Sequence, residues 1–356
     1  MHILKQKPSI YVSSVGTAVP DFSVSQSETL DFILKEFKIK ESTKKLYKKV
    51  FSSPSIEKRH FAINSLSELL NRDLDQVHLK FKKEIKYLSE KSLNQALSKI
   101  NLNSRDLGFI ATTTCTGYLC PGISSYLIES LNLKNDILTA DLVGMGCGAA
   151  LPALQQATHF LKANPTSYAA IVCTEICSAA LYSSDDPDIV ISNALFADGS
   201  AAAILSTHLN PKIELLDYAN ITFPQWRETL QFKTESGFLK NVLGKNVPTQ
   251  SAEALLILLK QLLDKNQLER NDIEHWILHA GGKKVIETIQ QKFSLSNEQV
   301  NSTLTILKNY GNLSSPSVLF SLNEFMEKKT SQSGFGVLSS FGAGFSAYGA
   351  LIKVHV

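Results

Sequence analysis

No apolar run in this chain of 356 residues approaches the roughly 20 that a membrane-spanning helix needs. The opening residues, Met1 to Pro8, also lack the apolar core of a secretory leader. Charge of one sign is missing too. Thirty-six Lys and Arg stand against 33 Asp and Glu, a net charge of +3, so no global basic field speaks for a nucleic-acid partner. Cysteine is scarce. The five residues Cys115, Cys120, Cys147, Cys173 and Cys177 are odd in number and form no zinc-type C-x-x-C pair. That excludes a disulfide scaffold, argues against a metal site, and fits a reduced protein of the cytoplasm. Low-complexity segments and long linkers are absent.

What is present is ample core material, 44% hydrophobic residues, in a chain long enough for two domains or one large α/β unit. The chain also repeats itself at half its length. One unit runs from an amphipathic helix around Leu93 through Arg105-Asp106-Leu107 into a strand, Phe109–Thr113, and a turn at Gly117. The other runs from a helix at Ala252–Leu259 through Asn271-Asp272-Ile273 into a strand, Trp276–His279, and a turn at Gly281-Gly282. Each Asp is followed about 40 residues later by a Gly-rich turn opening a helix, at Gly144–Gly148 and at Tyr310–Ser314. Each half closes on small residues, Phe196–Ala203 and Phe341–Ala347. The reading is an α/β protein of duplicated halves, 1–208 and 209–356, with the seam near Thr207–Pro211. Tyr218–Val247 has weak periodicity and reads as an insertion over the site. A pseudo-twofold would bring Cys147 and Asn312 to equivalent places facing the seam, with His279 delivered from a strand end.

Cys147 stands between glycines in a turn at a helix start, where the helix dipole favours thiolate and nothing bulky blocks the sulfur. Cys115, Cys173 and Cys177 lack that context and read as packing cysteines. His279 ends an apolar strand beside a Gly pair, and a neutral imidazole there could take the proton of a nearby thiol. His60, His159 and His275 lack such a setting and read as structural or surface groups. Asn312 alone would be a turn residue. Together with Cys147 and His279, its NH2 becomes a second donor for an oxyanion.

Five segments in fixed order now carry a resemblance that covers nearly the whole chain from Ser9. They are Gly144–Ala149, Val172–Ile176, Ala194–Gly199, His279–Gly282 and Tyr310–Ser315. The chain resembles the type III polyketide synthases, the chalcone-synthase-like branch of the thiolase-fold condensing enzymes. The resemblance implies duplicated α/β halves in a layered αβαβα arrangement. It implies Cys147 as the acylated nucleophile, and His279 and Asn312 as the groups that drive decarboxylation of malonyl-CoA. It implies Phe196 as a gatekeeper, further substrate-binding positions at Cys120, Cys177, Ala180, Ser314, Gly342 and Gly344, and a homodimer whose Cys120-Pro121-Gly122 segment reaches the neighbouring subunit. No cofactor is implied beyond the acyl-CoA and malonyl-CoA substrates, with an acyl carrier protein as the other possible donor. Among the basic residues Lys44, Lys45, Lys48, Lys49, Lys58 and Arg59, the expected CoA-phosphate contacts are Lys44 and Lys49. The chain departs from the family in having Ala280 and Ala343 where proline is usual, and no second gatekeeper aromatic is placed near Asn241.

Two other readings compete. A ketoacyl-acyl-carrier-protein synthase III uses the same Cys–His–Asn set for one condensation, but commonly has His-Gln-Ala-Asn where this chain has His279-Ala280-Gly281-Gly282. A non-catalytic thiolase-fold subunit tends to lose one of the three groups, and all three are here. A cysteine protease also uses Cys, His and Asn, but nothing in that class matches the Gly-rich duplicated halves.

Overall fold

Strand Gly199–Ser206 is buried at all eight positions, as a strand covered on both faces must be. Its neighbour Tyr168–Glu175 is buried at every position after the first. The computed structural model describes residues 8–71, 73–208, 212–328 and 332–356, and these two strands lie near the middle of its main sheet. The leader reading of Met1–Lys7 and the Leu209–Pro211 part of the expected seam lie outside the described residues.

The sheet has nine strands. Across it they begin at Ile273, Gly334, Ser346, Ile213, Ile10, Gly199, Tyr168, Leu107 and Leu138. The two halves meet where Ile10–Val12 pairs antiparallel with Ile213–Leu215. Reading outward from that join, the first half places its first, fifth, fourth, second and third strands in turn. The second half repeats the order with the third strand missing; helix Asn301–Tyr310 occupies that stretch of chain instead. The duplication legible in the sequence is therefore one of strand order.

Helices Ala150–Ala163 and Ser317–Glu327 each pack against strands of both halves and form the middle layer. Helix Leu74–Lys99 covers the outer face of the first half, and Val247–Asn266 that of the second, with Lys283–Phe293 against it. This is the layered αβαβα arrangement. The outer helix of the first half sits very close to its sheet. A Cβ on Gly16 would stand 2.2 Å from the Ser92 carbonyl oxygen and 2.5 Å from the Ala96 nitrogen, so only glycine permits the approach. Leu88, Leu93 and Ala96 are fully buried there, and each leucine contributes roughly 1.5–3 kcal/mol by leaving water.

Tyr218–Val247 is not one insertion. Its beginning completes the sheet strand Ile213–Thr222, which pairs with Ser346–Val354. The weak periodicity after it belongs to a separate hairpin, Leu230–Glu235 with Phe238–Leu243. The hairpin packs on helix Pro187–Leu195 and on the turn Cys177–Ala180.

Candidate active site

Strand Leu138–Val143 ends in a turn that needs two left-handed glycines, Gly144 at φ +78° and Gly146 at φ +60°. The turn lifts Cys147 to the start of helix Ala150–Ala163. A second glycine loop locks against it. A Cβ on Gly342 would meet the Met145 carbonyl oxygen at 2.1 Å, and one on Gly148 would meet the Tyr348 ring at 2.6 Å. The Ser340 hydroxyl donates to the Gly148 carbonyl at 3.2 Å. Gly342 thus serves as a close-packed seat for the turn that carries Cys147.

Asn312 follows helix Asn301–Tyr310 through Gly311, whose φ is +72°. Its Oδ1 accepts from the Ser314 backbone N–H at 2.8 Å and from the Ser317 hydroxyl at 3.4 Å. The oxygen is thereby held inside the turn and the NH2 is turned outward, donating to the Gly281 carbonyl at 3.2 Å. That leaves one Nδ2–H for a ligand. Phe196 is coupled to the same turn: the Asn312 N–H donates to the Leu195 carbonyl at 2.9 Å, and the Ala197 N–H to the Asn312 carbonyl at 3.0 Å.

His279 is 4% exposed at the end of strand Ile273–Leu278, with its backbone N–H on the Ser339 carbonyl and no partner for Nδ1. Burial lowers it from 6.5 to about 4, so it rests as neutral imidazole. Burial also drives the Cys147 thiol up to about 12; the Ser314 hydroxyl opposes this and the charge of Glu175 reinforces it. The helix start does not prevail over desolvation, contrary to the expectation of a ready thiolate. Among the described residues no hydrogen bond joins Cys147 to His279. Thiol and imidazole rest as two neutral groups.

The contact that Cys147 does make is with Ser314, Sγ to Oγ at 3.2 Å. Ser314 has a left-handed backbone, φ +61°, uncommon for a residue with a side chain and a mark of local strain. Its hydroxyl also lies 3.4 Å from Cys115 Sγ and donates to Glu175 Oε1 at 3.4 Å. Glu175 is fully buried and ringed by donors: the Ser315 hydroxyl at 2.6 Å, the Cys115 N–H at 2.9 Å and the Thr116 hydroxyl at 2.9 Å. Burial raises its carboxyl and those donors pull it back. Cys115 is therefore part of the site and not a packing cysteine. The sequence reading assigned no site role to Cys115 or to Glu175. The signal was available in Glu175, an acid closing the otherwise uncharged run Tyr168–Thr174.

A cavity of about 470 Å³ opens beside this network, walled by Val77, Phe81, Cys115, Thr116, Ala179 and Phe238. Of the turn Cys177–Ala180, it is Ala179 that faces this cavity, while Cys177 and Ala180 are buried. Cys120 is exposed beyond it. Lys49 is exposed on helix Glu41–Phe51, and Lys44 on the same helix pairs with Glu41 at 2.7 Å. Arg59 cannot serve a phosphate in solvent, because it is fully buried. It donates to the carbonyls of Asn193 at 2.7 Å and Phe196 at 2.8 Å, and so braces the backbone at the end of helix Pro187–Leu195.

Comparison with known proteins identifies the family of the chain. A family model for FAE1/type III polyketide synthase-like proteins matches residues 9–216, and one for the C-terminal domain of chalcone and stilbene synthases matches 216–355. The chain is 30% identical to a 3,5-dihydroxyphenylacetyl-CoA synthase of Streptomyces toyocaensis, over 98% of this chain and 91% of that protein. It is 26% identical to Pks18, an alpha-pyrone synthesis polyketide synthase-like protein of Mycobacterium tuberculosis, over 96% and 91%. The crystal structure of PKS-I from the brown alga Ectocarpus siliculosus superposes with a TM-score of 0.90 at 26% identity, covering 99% of this chain and 100% of that one.

Proposed function

Since the chain belongs to the type III polyketide synthase family, we propose that Cys147 carries an acyl group and that His279 and Asn312 generate the enolate that extends it. The observation that supports this most is the 3.2 Å contact between Cys147 and Ser314 across 167 residues. It sets the nucleophile against the turn whose hydrogen bonds aim the Asn312 NH2.

As proposed, a starter acyl thioester enters and the Cys147 thiol gives its proton to His279 as sulfur attacks the carbonyl. The acyl carbon–CoA sulfur bond breaks, and the leaving thiolate takes that proton from His279. A malonyl thioester then binds. Its carbon–carboxylate bond breaks, CO2 departs, and the electron pair becomes an enolate. The enolate oxygen is met by N–H donors of neutral His279 and Asn312, fixed before any charge appears. Its carbon attacks the acyl-Cys147 carbonyl, and Cys147 leaves as thiolate. The product is two carbons longer and remains a thioester of the extender's carrier. Electrons are only redistributed, so the chemistry calls for no redox partner. Phe196, tied to Asn312, narrows the approach to the reacting carbon, and the exposed Lys49 with its neighbours Lys45 and Lys48 offers charge to CoA phosphates.

The family's homodimer is part of the same reading. Strand Leu138–Val143 is the edge of the main sheet, with Leu138 and Val143 each 57% exposed, and Tyr118 nearby in sequence to Cys120 is 71% exposed. A bare edge with apolar side chains calls for cover, and a second copy would supply it. The bulk function is tested by giving purified protein malonyl-CoA and a panel of acyl-CoAs. Masses rising by two-carbon units, with the acyl adduct on the Cys147 peptide, support the reading. An adduct confined to Cys115, Cys120, Cys173 or Cys177 refutes the nucleophile.

A further inference from the structure

The last turn of helix Pro187–Leu195 leaves carbonyls that no further helical turn can satisfy. Those of Asn193, Ala194, Leu195 and Phe196 each take a donor from a distant part of the chain. Arg59 Nη1 donates to Asn193 at 2.7 Å and to Phe196 at 2.8 Å, and Gln26 Nε2 donates to Ala194 at 2.8 Å. The donor to Leu195, at 2.9 Å, is the backbone N–H of Asn312 itself. Arg59 Nε also donates to Gln26 Oε1 at 2.9 Å, so the two side chains form one clamp. Asn312 therefore hangs on the same short stretch of backbone that Arg59 holds.

Arg59 meets the Asn312 turn from a second side. A Cβ on Gly311 would stand 2.8 Å from the Leu195 carbonyl oxygen and 3.0 Å from both Cγ and Cδ of Arg59. The arginine stem is thus laid against the residue before Asn312. Its strand, Lys58–His60, also grips the helix that leads into the turn. The Glu57 N–H donates to the Lys308 carbonyl at 2.8 Å, and the His60 ring stacks on Tyr310 at 5.8 Å. Yet Arg59 is fully buried, and its Nη2 has no partner. An apolar side chain would fill that space without the desolvation cost of a cation. The use of the guanidinium lies in what its other donors hold.

We infer that Arg59 is a positioning residue for the decarboxylation step, fixing where the Asn312 NH2 stands through the Leu195–Ala197 backbone and through Gly311. It touches no reacting atom in this role. The inference rests on the condensing function proposed above. A donor misplaced by about 1 Å costs on the order of 100-fold in rate.

The test is a double-mutant cycle with Asn312→Ala. Arg59→Lys keeps a cation and most of the stem but lacks the planar fork that serves Gln26 and two carbonyls at once. Release of labelled CO2 from malonyl-CoA should fall by up to about 100-fold in Arg59→Lys. Peptide mapping after incubation with an acyl-CoA should still find acyl groups on Cys147. In the Asn312→Ala background the same lysine substitution should cause no further loss, because the amide it acts through is gone. Gln26→Leu unties the clamp while leaving Arg59 in place. It serves if the lysine variant does not fold, with the same split and the same lack of further loss expected. An arginine with a merely structural role would lower acylation and CO2 release equally, and by the same factor in both backgrounds. Either result overturns the inference, as does wild-type CO2 release in a folded variant. A wild type that releases no CO2 from malonyl-CoA overturns the proposed function and this inference with it, so the wild-type measurement tells the two failures apart.

Discussion

The Ser314 backbone N–H donates to Asn312 Oδ1 at 2.8 Å, and this bond decides which end of the Asn312 amide a ligand meets. With the oxygen consumed inside the turn, only the NH2 is presented. A group so oriented can stabilise an oxyanion and cannot repel it.

Asn312→Ala therefore removes a donor and leaves Cys147 in place. Loss of one such donor costs about 100- to 1000-fold. Malonyl-CoA decarboxylation, followed as release of labelled CO2, falls by that order, while peptide mapping still finds acyl groups on Cys147. Wild-type decarboxylation in this variant would remove Asn312 from the mechanism.

Cys147 is expected to be a slow thiol in the free enzyme. Its pKa is pushed to about 12, with Glu175 among the causes that raise it and Ser314 opposing. The thiolate is the reactive form. Iodoacetamide should thus modify Cys147 sluggishly at pH 7 and faster as pH rises. Glu175→Gln should speed the reaction at pH 7 and Ser314→Ala should slow it. The same rate in all three proteins would show that the network does not govern the thiol.

His279 supplies a pH signature. Burial lowers it from 6.5 to about 4, so the unfolded chain binds more protons than the native one between those values. Stability is fully present above about 6.5 and is lost as pH falls toward about 4, by up to roughly 3 kcal/mol. His279→Gln should flatten that part of the urea-unfolding profile. Decarboxylation by the wild type should show no acid limb at 6.5, since the donor stays neutral; a limb there would contradict the buried, uncharged imidazole.

The exposed edge predicts the assembly state. Light scattering should report a dimer at micromolar concentration, and Val143→Lys should shift it toward monomer by setting a charge on the covered edge. A monomeric wild type would count against the second copy.

Much of this was legible in the sequence because glycine and small residues carry position-specific demands. Gly144, Gly146 and Gly311 adopt the left-handed backbone that marks the turns, and the strand order repeats as the matched segments implied. The site's electrostatics were not legible. A helix start predicts a lowered thiol, but desolvation around the half-buried Cys147 reverses the sign, and desolvation is a property of packing. Cys115 looked like a core residue because its partners, Glu175 and Ser314, lie 60 and 199 positions away. Arg59 looked like a surface cation for the same reason: the carbonyls that hold it belong to Asn193 and Phe196.

The contacts that tie Cys147 to Ser314, and Ser314 and Ser315 to Glu175, close loops of 167, 139 and 140 residues. Contacts of that span form only after the chain's entropy has been spent on bringing distant segments together, and so they form late. Helices and local turns can be complete while Cys147 is still an ordinary thiol in water. During refolding, the moment the molecule becomes an enzyme is therefore marked by that cysteine falling silent toward alkylating agents, and not by any gain in secondary structure.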